Sequence, residues 1–389
     1  MAIKNRFAEL HSEISAWRQD IHTHPELGLT ETRTAGKVAE LLRSFGCDEV
    51  VEQVGQTGVI AVIKGNGGEG KSIGLRADMD ALPITELTGA DYASAEPGRM
   101  HACGHDGHTA MLLGAARYLA ETRNFAGQAV LIFQPGEEGY FGARGMLEDG
   151  LLERWNIDEV YGMHNMPGIP VGHFAGCAGP FMAAVGNPTI KITGTGGHAA
   201  QPQNCIDPMP VAAQVILACQ TIVARNAHPL DALVISLTSL KTDSPASNVI
   251  PETVEITGTV RALSDDLMKL AEKRIGEICA GIAISANVSI EFTFTPGYPV
   301  TVNDENAMDA ALAVASEIAG EQNVNRSLSP SMGGEDFSYF LQKRPGAFIN
   351  VGNGDSAGLH SPYYNFNDEA IPFGSSWLVG MVEARSPLS

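Results

Sequence analysis

Apolar and polar positions along the chain follow two different periods. Phe7, Leu10, Ile14, Trp17 and Ile21 recur every three or four residues, which predicts a helix with one buried stripe that ends before Pro25. A second helix is predicted over about 30–44, stopped by Gly46. GVIAVIKG and SIGLRADMD then read as strands, with the glycine-rich GNGGEG between them as a hairpin turn. Gly65, Gly67 and Gly70 satisfy the spacing GxGxxG, but a dinucleotide site needs a helix after its glycines and here a strand follows. Further strands are predicted at QAVLIFQ, EVYGMH and AFINVG, with helices over about 108–121 and 303–319. Such alternation predicts an α/β layer around a largely parallel sheet.

Between about 184 and 295 the texture changes. NPTIKITGTGG, LVISLTSL, TVEITGTVRAL and VSIEFTF read as strands, with helices over about 209–227 and 265–286. Their succession is β-α-β-β-α-β, the ferredoxin-like plan, complete in itself. It predicts a domain at 184–295 inserted into a first domain made of 1–183 and 296–389. No internal repeat or low-complexity tract interrupts this plan.

A chain of 389 residues is long for one core, which agrees with two domains. A formal charge of −20 disfavours nucleic acid and anionic membranes as partners, because no basic surplus exists to neutralise phosphate. The six cysteines are scattered without a CxxC, as expected of reduced thiols in the cytoplasm. The opening MAIKNRFAELHSEI is amphipathic and lacks the apolar core of a signal peptide. The run 211–224 contains glutamines and falls short of the roughly 18 apolar residues of a membrane span, so it reads as a packed helix.

The stretch MHACGHDGHTAM concentrates His101, Cys103, His105, Asp106 and His108 among small residues. Cys103 and His105 can point to the same side of a turning backbone, and His105 and His108 are neighbours if a helix starts there. Thiolate with imidazole suits zinc, and added carboxylates admit manganese, cobalt or nickel. Other reactive residues follow predicted strands: Asp78 and Asp80, then Glu137 and Glu138, then His164, then His360. Open α/β sheets place ligands outside the carboxyl ends of their strands. Adjacent carboxylates on a loop point apart, so one of Glu137 and Glu138 can hold metal while the other moves a proton. Taken singly, His164 or His360 would read as a packed or surface histidine. Together, Cys103, His105, Glu138, His164 and His360 make five donors, one more than a tetrahedral zinc uses, and fit two metals sharing a bridging group.

RADMDALP, MHACGHDGHTAM, PGEEG, MHN, GGHAAQP, SNVIP and LHSPYY occur in one order over nearly the whole chain. In these motifs the chain resembles the peptidase-related amidohydrolases that include hippurate hydrolase, auxin-conjugate amidohydrolases, N-acetyldiaminopimelate deacetylase and bacterial aminoacylases. The resemblance implies a zinc-peptidase-like catalytic domain with a mostly parallel mixed sheet and an inserted dimerisation or lid domain. It implies a homodimer joined through that domain. It also implies a dinuclear centre of Mn2+ or Zn2+, with Co2+ or Ni2+ as further choices, held by Cys103, His105, Glu138, His164 and His360.

By the same resemblance Glu137 is the general base and Asp80 orients a metal ligand. Asp78 stands where related peptidases carry a ligating histidine, and reads as a supporting carboxylate near Cys103. His198 reaches the other subunit's active site to assist the oxyanion, and Asn248 and Arg261 contact substrate, Arg261 through a bidentate carboxylate pair. A surface-turn histidine and a salt-bridged strand arginine are the plain alternatives for His198 and Arg261. Gly333 and Gly334 are expected to line the substrate pocket, whereas Glu335 and Asp336 read as a helix cap.

The expected activity is hydrolysis of the amide bond of N-acyl amino acids, of N-acetyl or hippurate type, to a carboxylic acid and a free amino acid. A dipeptidase or carboxypeptidase on the same scaffold is the first alternative. A thiol hydrolase using Cys103 with His105 is the second. A metal-dependent binding protein is opposed by the Glu137 and Glu138 pair, since binding alone has no use for a proton shuttle.

Overall fold

A computed structural model describes residues 5–388 of the chain. It divides into two compact units. The first runs through Phe181, resumes over Thr301–Ser329 and continues from Asp336 to the end. Its strands β1 (Glu49–Val54), β2 (Gly58–Lys64), β3 (Ser72–Asp78), β4 (Gln128–Gln134) and β5 (Glu159–Pro167) join Gly346–Gly354 and two short strands, Phe174–Ala175 and Val324–Asn325, in one eight-stranded sheet. The order from one edge is β1, β2, β4, β3, β5, Gly346–Gly354, Phe174–Ala175 and Val324–Asn325. The centre, from β4 through β3 and β5 to Gly346–Gly354, is parallel. β1 and β2 run antiparallel at one edge.

Every residue of β3 is buried. That explains why the central strands read as continuous apolar runs rather than alternating ones, since helices cover both faces of a parallel sheet. α1 (Asn5–Thr23) buries the stripe of Phe7, Leu10, Ile14, Trp17 and Ile21 that its periodicity predicts. α2 (Thr32–Ser44) buries Val38, Ala39 and Leu42. α3 (His105–Thr122) begins at His105 itself and packs against both α1 and the carboxyl-terminal helix Ile371–Arg385. That last helix is not predicted from the pattern, because it is buried on almost every side and so carries no 3.6-residue alternation. The Trp377 indole donates to Ala311 O at 2.9 Å and ties it to Glu305–Ala319.

The predicted hairpin between β2 and β3 does not form. β4 lies between them, antiparallel to β2 and parallel to β3. The intervening glycines instead cross the end of β4: Gly65 N donates to Gly127 O at 3.0 Å, Gly67 N to Phe125 O at 2.9 Å, and Gly127 N to Gly68 O at 2.8 Å. A side chain at Gly65 or Gly70 would collide with that backbone. Close approach of two chain segments, rather than a tight turn, is what these glycines permit.

The second unit comprises Met182–Val300 and Pro330–Glu335. Its sheet is antiparallel, in the order Leu233–Thr242, Thr253–Ala262, Ala184–Thr193, Ser289–Pro296. Helices Pro208–Arg225 and Asp265–Ala286 pack on it, capped by the side chains of Asp207 and Ser264. The connection is β-α-β-β-α-β with the first strand inside the sheet, a ferredoxin-like topology. Burial along Ala184–Thr193 alternates residue by residue, as expected when only one face is covered. Pro208–Arg225 is long and apolar enough to cross a membrane, yet it packs Val211, Ala212, Val215, Cys219 and Ile222 inward. A separate two-stranded ribbon pairs Gly197–His198 with Val249–Ile250.

Candidate metal centre

Four segments of the first unit converge with the Cys103 loop near the ends of its parallel strands. Asp78 is the last residue of β3 and Asp80 lies two further on. Glu137 and Glu138 follow β4. His164 lies within β5 rather than at its end, since the strand continues to Pro167. His360 sits in the loop after Gly346–Gly354, at a left-handed φ of +63°. Cys103 precedes α3, and Gly104 at φ +89° turns the chain so that His105 opens the helix.

Ligand atoms of Cys103, His105 and His164 lie within 4.8 Å of one another, as do those of Cys103, Glu138 and His360, and those of His105, Glu137 and Glu138. Cys103 belongs to the first two groups and Glu138 to the last two. Its Sγ lies 3.4 Å from His164 Nε2, and His360 Nε2 lies 3.1 Å from Glu138 Oε1.

Hydrogen bonds to backbone carbonyls determine the ring tautomers. His105 Nδ1 lies 2.9 Å from Asp80 O, and His164 Nδ1 lies 2.6 Å from Asn165 O. A carbonyl only accepts, so both Nδ1 atoms carry the proton and both Nε2 atoms are turned to the cluster. His105 Nε2 is buried without a hydrogen-bond partner. Burial opposes charge on His105, but Asp78 and Cys103 outweigh it and raise the ring well above the usual imidazole range. Cys103 and Glu138 likewise hold His360 up at about 10. The cluster therefore favours positive charge at these nitrogens, which a proton or a metal ion can supply. Orphaned Nε2, one thiol, three imidazoles and a carboxylate form a donor set that fits divalent metal.

Asp80 ties two donors together: its Oδ1 lies 3.2 Å from His105 Nδ1, and its Oδ2 accepts the Glu138 N–H at 2.9 Å. Glu137 is buried, at 7 % exposure, beside Glu138. His108 is near the cluster but occupied. Its Nε2 accepts the Asn165 N–H at 3.0 Å, so its Nδ1 donates, at 2.6 Å, to Asp78 Oδ1. His101 is buried, belongs to none of the donor groups, and is pushed down to about 4 by burial. Asp106 faces away, accepting from Arg18 at 3.3 Å and pairing with His22 at 2.8 Å.

Several partners escape a reading of the sequence. Arg76 is buried in β3 and donates to Asp78 Oδ2 at 2.8 Å, to Gln134 at 2.9 Å and to Asp336 at 3.0 Å. Asp336 is therefore a buried ion-pair partner, and it does not cap the short helix that follows it, Ser338–Leu341, which has no side-chain cap. It also accepts from Gln134 and from the Ala143 N–H. Period-two spacing places Arg76 and Asp78 on one face of a strand, which is the signal that could have paired them.

In the second unit, His198 is exposed and its Nδ1 accepts the Ala200 N–H at 3.1 Å. The ribbon brings it beside Asn248, whose carbonyl accepts from Ala199 N at 3.0 Å. Arg261 is half-buried on Thr253–Ala262 and donates to Thr259 Oγ1 at 3.0 Å, and burial pushes its guanidinium down. It makes no ion pair among the described residues. Gly334 packs close to Arg261 and Val185 within the same unit.

Comparison with known proteins places this arrangement. The model of Peptidase family M20/M25/M40 matches residues 74–384. The chain is 42% identical over 369 residues to the hippurate hydrolase of Campylobacter jejuni, with 95% of each chain covered. It is 38% identical to the N-acetylcysteine deacetylase of Bacillus subtilis, over 94% of this chain and 95% of that one. A Bacillus subtilis crystal structure, described as a dinuclear metal binding peptidase from the M20 family, superposes with a TM-score of 0.84 at 33% identity, covering 96% of this chain and 98% of that one. The sheet, the order of the donor-bearing segments and these matches agree, and the chain belongs to peptidase family M20/M25/M40.

Proposed function

We propose that this chain is a metal-dependent amidohydrolase that splits N-acyl amino acids, of N-acetyl or hippurate type, into a carboxylic acid and a free amino acid. The observation that carries this reading is the pair of donor groups sharing Cys103, with Glu137 buried beside them. Relatives at 42% and 38% identity bear names of that chemistry.

Cys103, His105, Glu138, His164 and His360 hold two divalent ions, Mn2+ or Zn2+ being the first choices and Co2+ or Ni2+ further ones. Bound there, the ions supply Lewis acidity, which acidifies water and polarises an amide carbonyl. Glu137 takes the proton of the attacking water as its oxygen bonds to the carbonyl carbon. It then returns that proton to the amide nitrogen as the C–N bond breaks. Asp80 keeps His105 in the tautomer that leaves Nε2 available.

His198, reaching across from a partner subunit, donates to the developing oxyanion. Asn248 and Arg261 contact the substrate, Arg261 by holding its carboxylate, and the lack of an ion pair at Arg261 among the described residues supports this role. The chain acts as a homodimer joined through the inserted domain, an assignment supported by the outward apolar side chains Met209, Leu217 and Val223 of Pro208–Arg225, 39%, 70% and 38% exposed. The acidic chain has neither nucleic acid nor membrane as a partner. Six unpaired thiols support a cytoplasmic site of action.

A thiol mechanism is disfavoured because burial pushes the Cys103 thiol up, opposite to the shift a nucleophilic cysteine needs. The test is hydrolysis of acetyl, benzoyl and longer acyl amino acids, with dipeptides alongside, by protein stripped with chelator and reloaded with each metal. Activity lost on stripping and restored by metal supports the proposal, and the preferred substrate names the acyl group. Faster turnover of dipeptides would make the enzyme a peptidase. Activity that survives stripping and falls to a thiol reagent would overturn the metal assignment.

A further inference from the structure

One residue outside the donor set bonds to two of its members and to two of their neighbours. Asn165 follows His164 on β5, is fully buried, and has a partner for each of its polar groups. Its side-chain Nδ2 donates to Cys103 O at 2.7 Å and lies 3.0 Å from His108 Nε2. Its backbone N–H donates to the same His108 Nε2, and its backbone carbonyl accepts from His164 Nδ1. Its Oδ1 accepts from Tyr364 Oη at 2.5 Å. Cys103 O can only accept, so the amide orientation follows from the structure.

Gly104 supplies a second, independent observation. A Cβ built on Gly104 would collide with Asn165 Nδ2 and Tyr364 Oη. The glycine between Cys103 and His105 is thus pressed against the Asn165 and Tyr364 pair. Tyr364 is fully buried and lies four residues after His360. The amide therefore links the Cys103 loop, the His164 strand, the start of α3 and the His360 loop.

We infer that Asn165, buttressed by Tyr364, is the positioning residue that holds Cys103 and His164 at the spacing the metal ions require. The inference rests on the metal-centre reading given above. Asn165 offers the proposed ions no ligand atom, since its amide and backbone groups are taken up by Cys103, His108, His164 and Tyr364. It acts by fixing the Cys103 carbonyl, and so the approach of Sγ, while its own carbonyl keeps His164 Nε2 unprotonated. Outer partners of this kind change metal affinity by about 10–100-fold.

Two variants test it. Asn165→Asp keeps the shape and the acceptor for Tyr364, but replaces the donor to Cys103 O and His108 Nε2 with an acceptor. Tyr364→Phe deletes only the hydroxyl. Each is stripped and titrated with Co2+ against a competing chelator, reading affinity together with the thiolate-to-cobalt charge-transfer and d–d bands, and metal-free unfolding is followed in parallel.

The wild type should show the thiolate band. Asn165→Asp should bind Co2+ about 10–100-fold more weakly with altered bands, and Tyr364→Phe should shift both in the same direction by less. Absence of the thiolate band in the wild type overturns the metal assignment itself. A wild-type band with unchanged affinity and spectrum in the variants overturns the role of Asn165 alone, including when metal-free stability falls. Should Asn165→Asp fail to fold, Tyr364→Phe decides by the same two readouts.

Discussion

His108 Nδ1 donates to Asp78 Oδ1 at 2.6 Å beneath the donor cluster. The pairing explains why an aspartate stands at Asp78. One oxygen serves His108, the other accepts from Arg76 at 2.8 Å and lies 3.5 Å from His105 Nε2. Burial opposes its ionisation, yet Arg76, His105 and His108 hold Asp78 well below the usual carboxylate range. Asp78 thus underlies the cluster as a fixed negative charge and fixes His108, which in turn accepts from Asn165.

Asp78→Asn removes a counter-charge 2.8 Å from the buried Arg76. Breaking a buried pair by deleting one partner costs about 3 kcal/mol or more. Urea unfolding of the metal-free protein is the measurement. A variant as stable as the parent would mean that the remaining partners of Arg76, Asp336 and Gln134 among them, satisfy it.

Glu137→Gln keeps shape but cannot accept a proton. Turnover should fall by about 10²–10⁴-fold. Metal content, measured on the same preparation, should not change. Full activity with normal metal content would remove Glu137 from the role of base.

Arg261→Ala should lower kcat/KM for N-acyl amino acids by about 30-fold or more, the scale of a lost charge-assisted pair. The corresponding carboxamides, which carry no negative charge, should be turned over nearly alike by variant and parent. Arg261→Lys should recover only part of the loss, because an ammonium does not reproduce the planar fork. Equal losses on both substrate series would show that Arg261 serves the strand rather than the ligand.

Acid should weaken the fold through Glu159. Burial opposes its charge, but Arg385, Lys71 and Tyr161 outweigh it and lower the carboxyl from 4.5 to about 2. The folded-state value is depressed, so the stabilisation is complete above 4.5 and drains away as pH falls toward about 2. Urea midpoints taken between about pH 6 and pH 3 should fall with acid, and less steeply in Glu159→Gln. Parallel slopes in the two proteins would locate the acid sensitivity elsewhere.

Gly104→Ala introduces a side chain at φ +89° where Asn165 and Tyr364 already lie. The backbone conflict alone should cost more than about 1 kcal/mol. Thermal unfolding with and without metal should show a larger deficit in the metal-loaded protein, because the displaced Cys103 loop also weakens binding. An equal deficit in both states would confine the effect to the backbone.

Local pattern by itself determined a good deal of this protein. The stripe of α1, the extent of α2, the apolar runs of β2 to β5 and the succession of elements in the second unit follow from residues close in sequence, because side-chain direction repeats every 3.6 or 2 residues. Donor chemistry was equally local, since a thiol, imidazoles and carboxylates after strand ends announce a metal whatever the fold does next. Only the tertiary structure decided that β4 separates β2 from β3, that Asp336 reaches back to Arg76, and that His108 is spent on Asp78 while His105 keeps Nε2 unbonded. These choices depend on which distant groups exclude water together, and a buried polar atom takes whichever partner the closed core brings within about 3 Å.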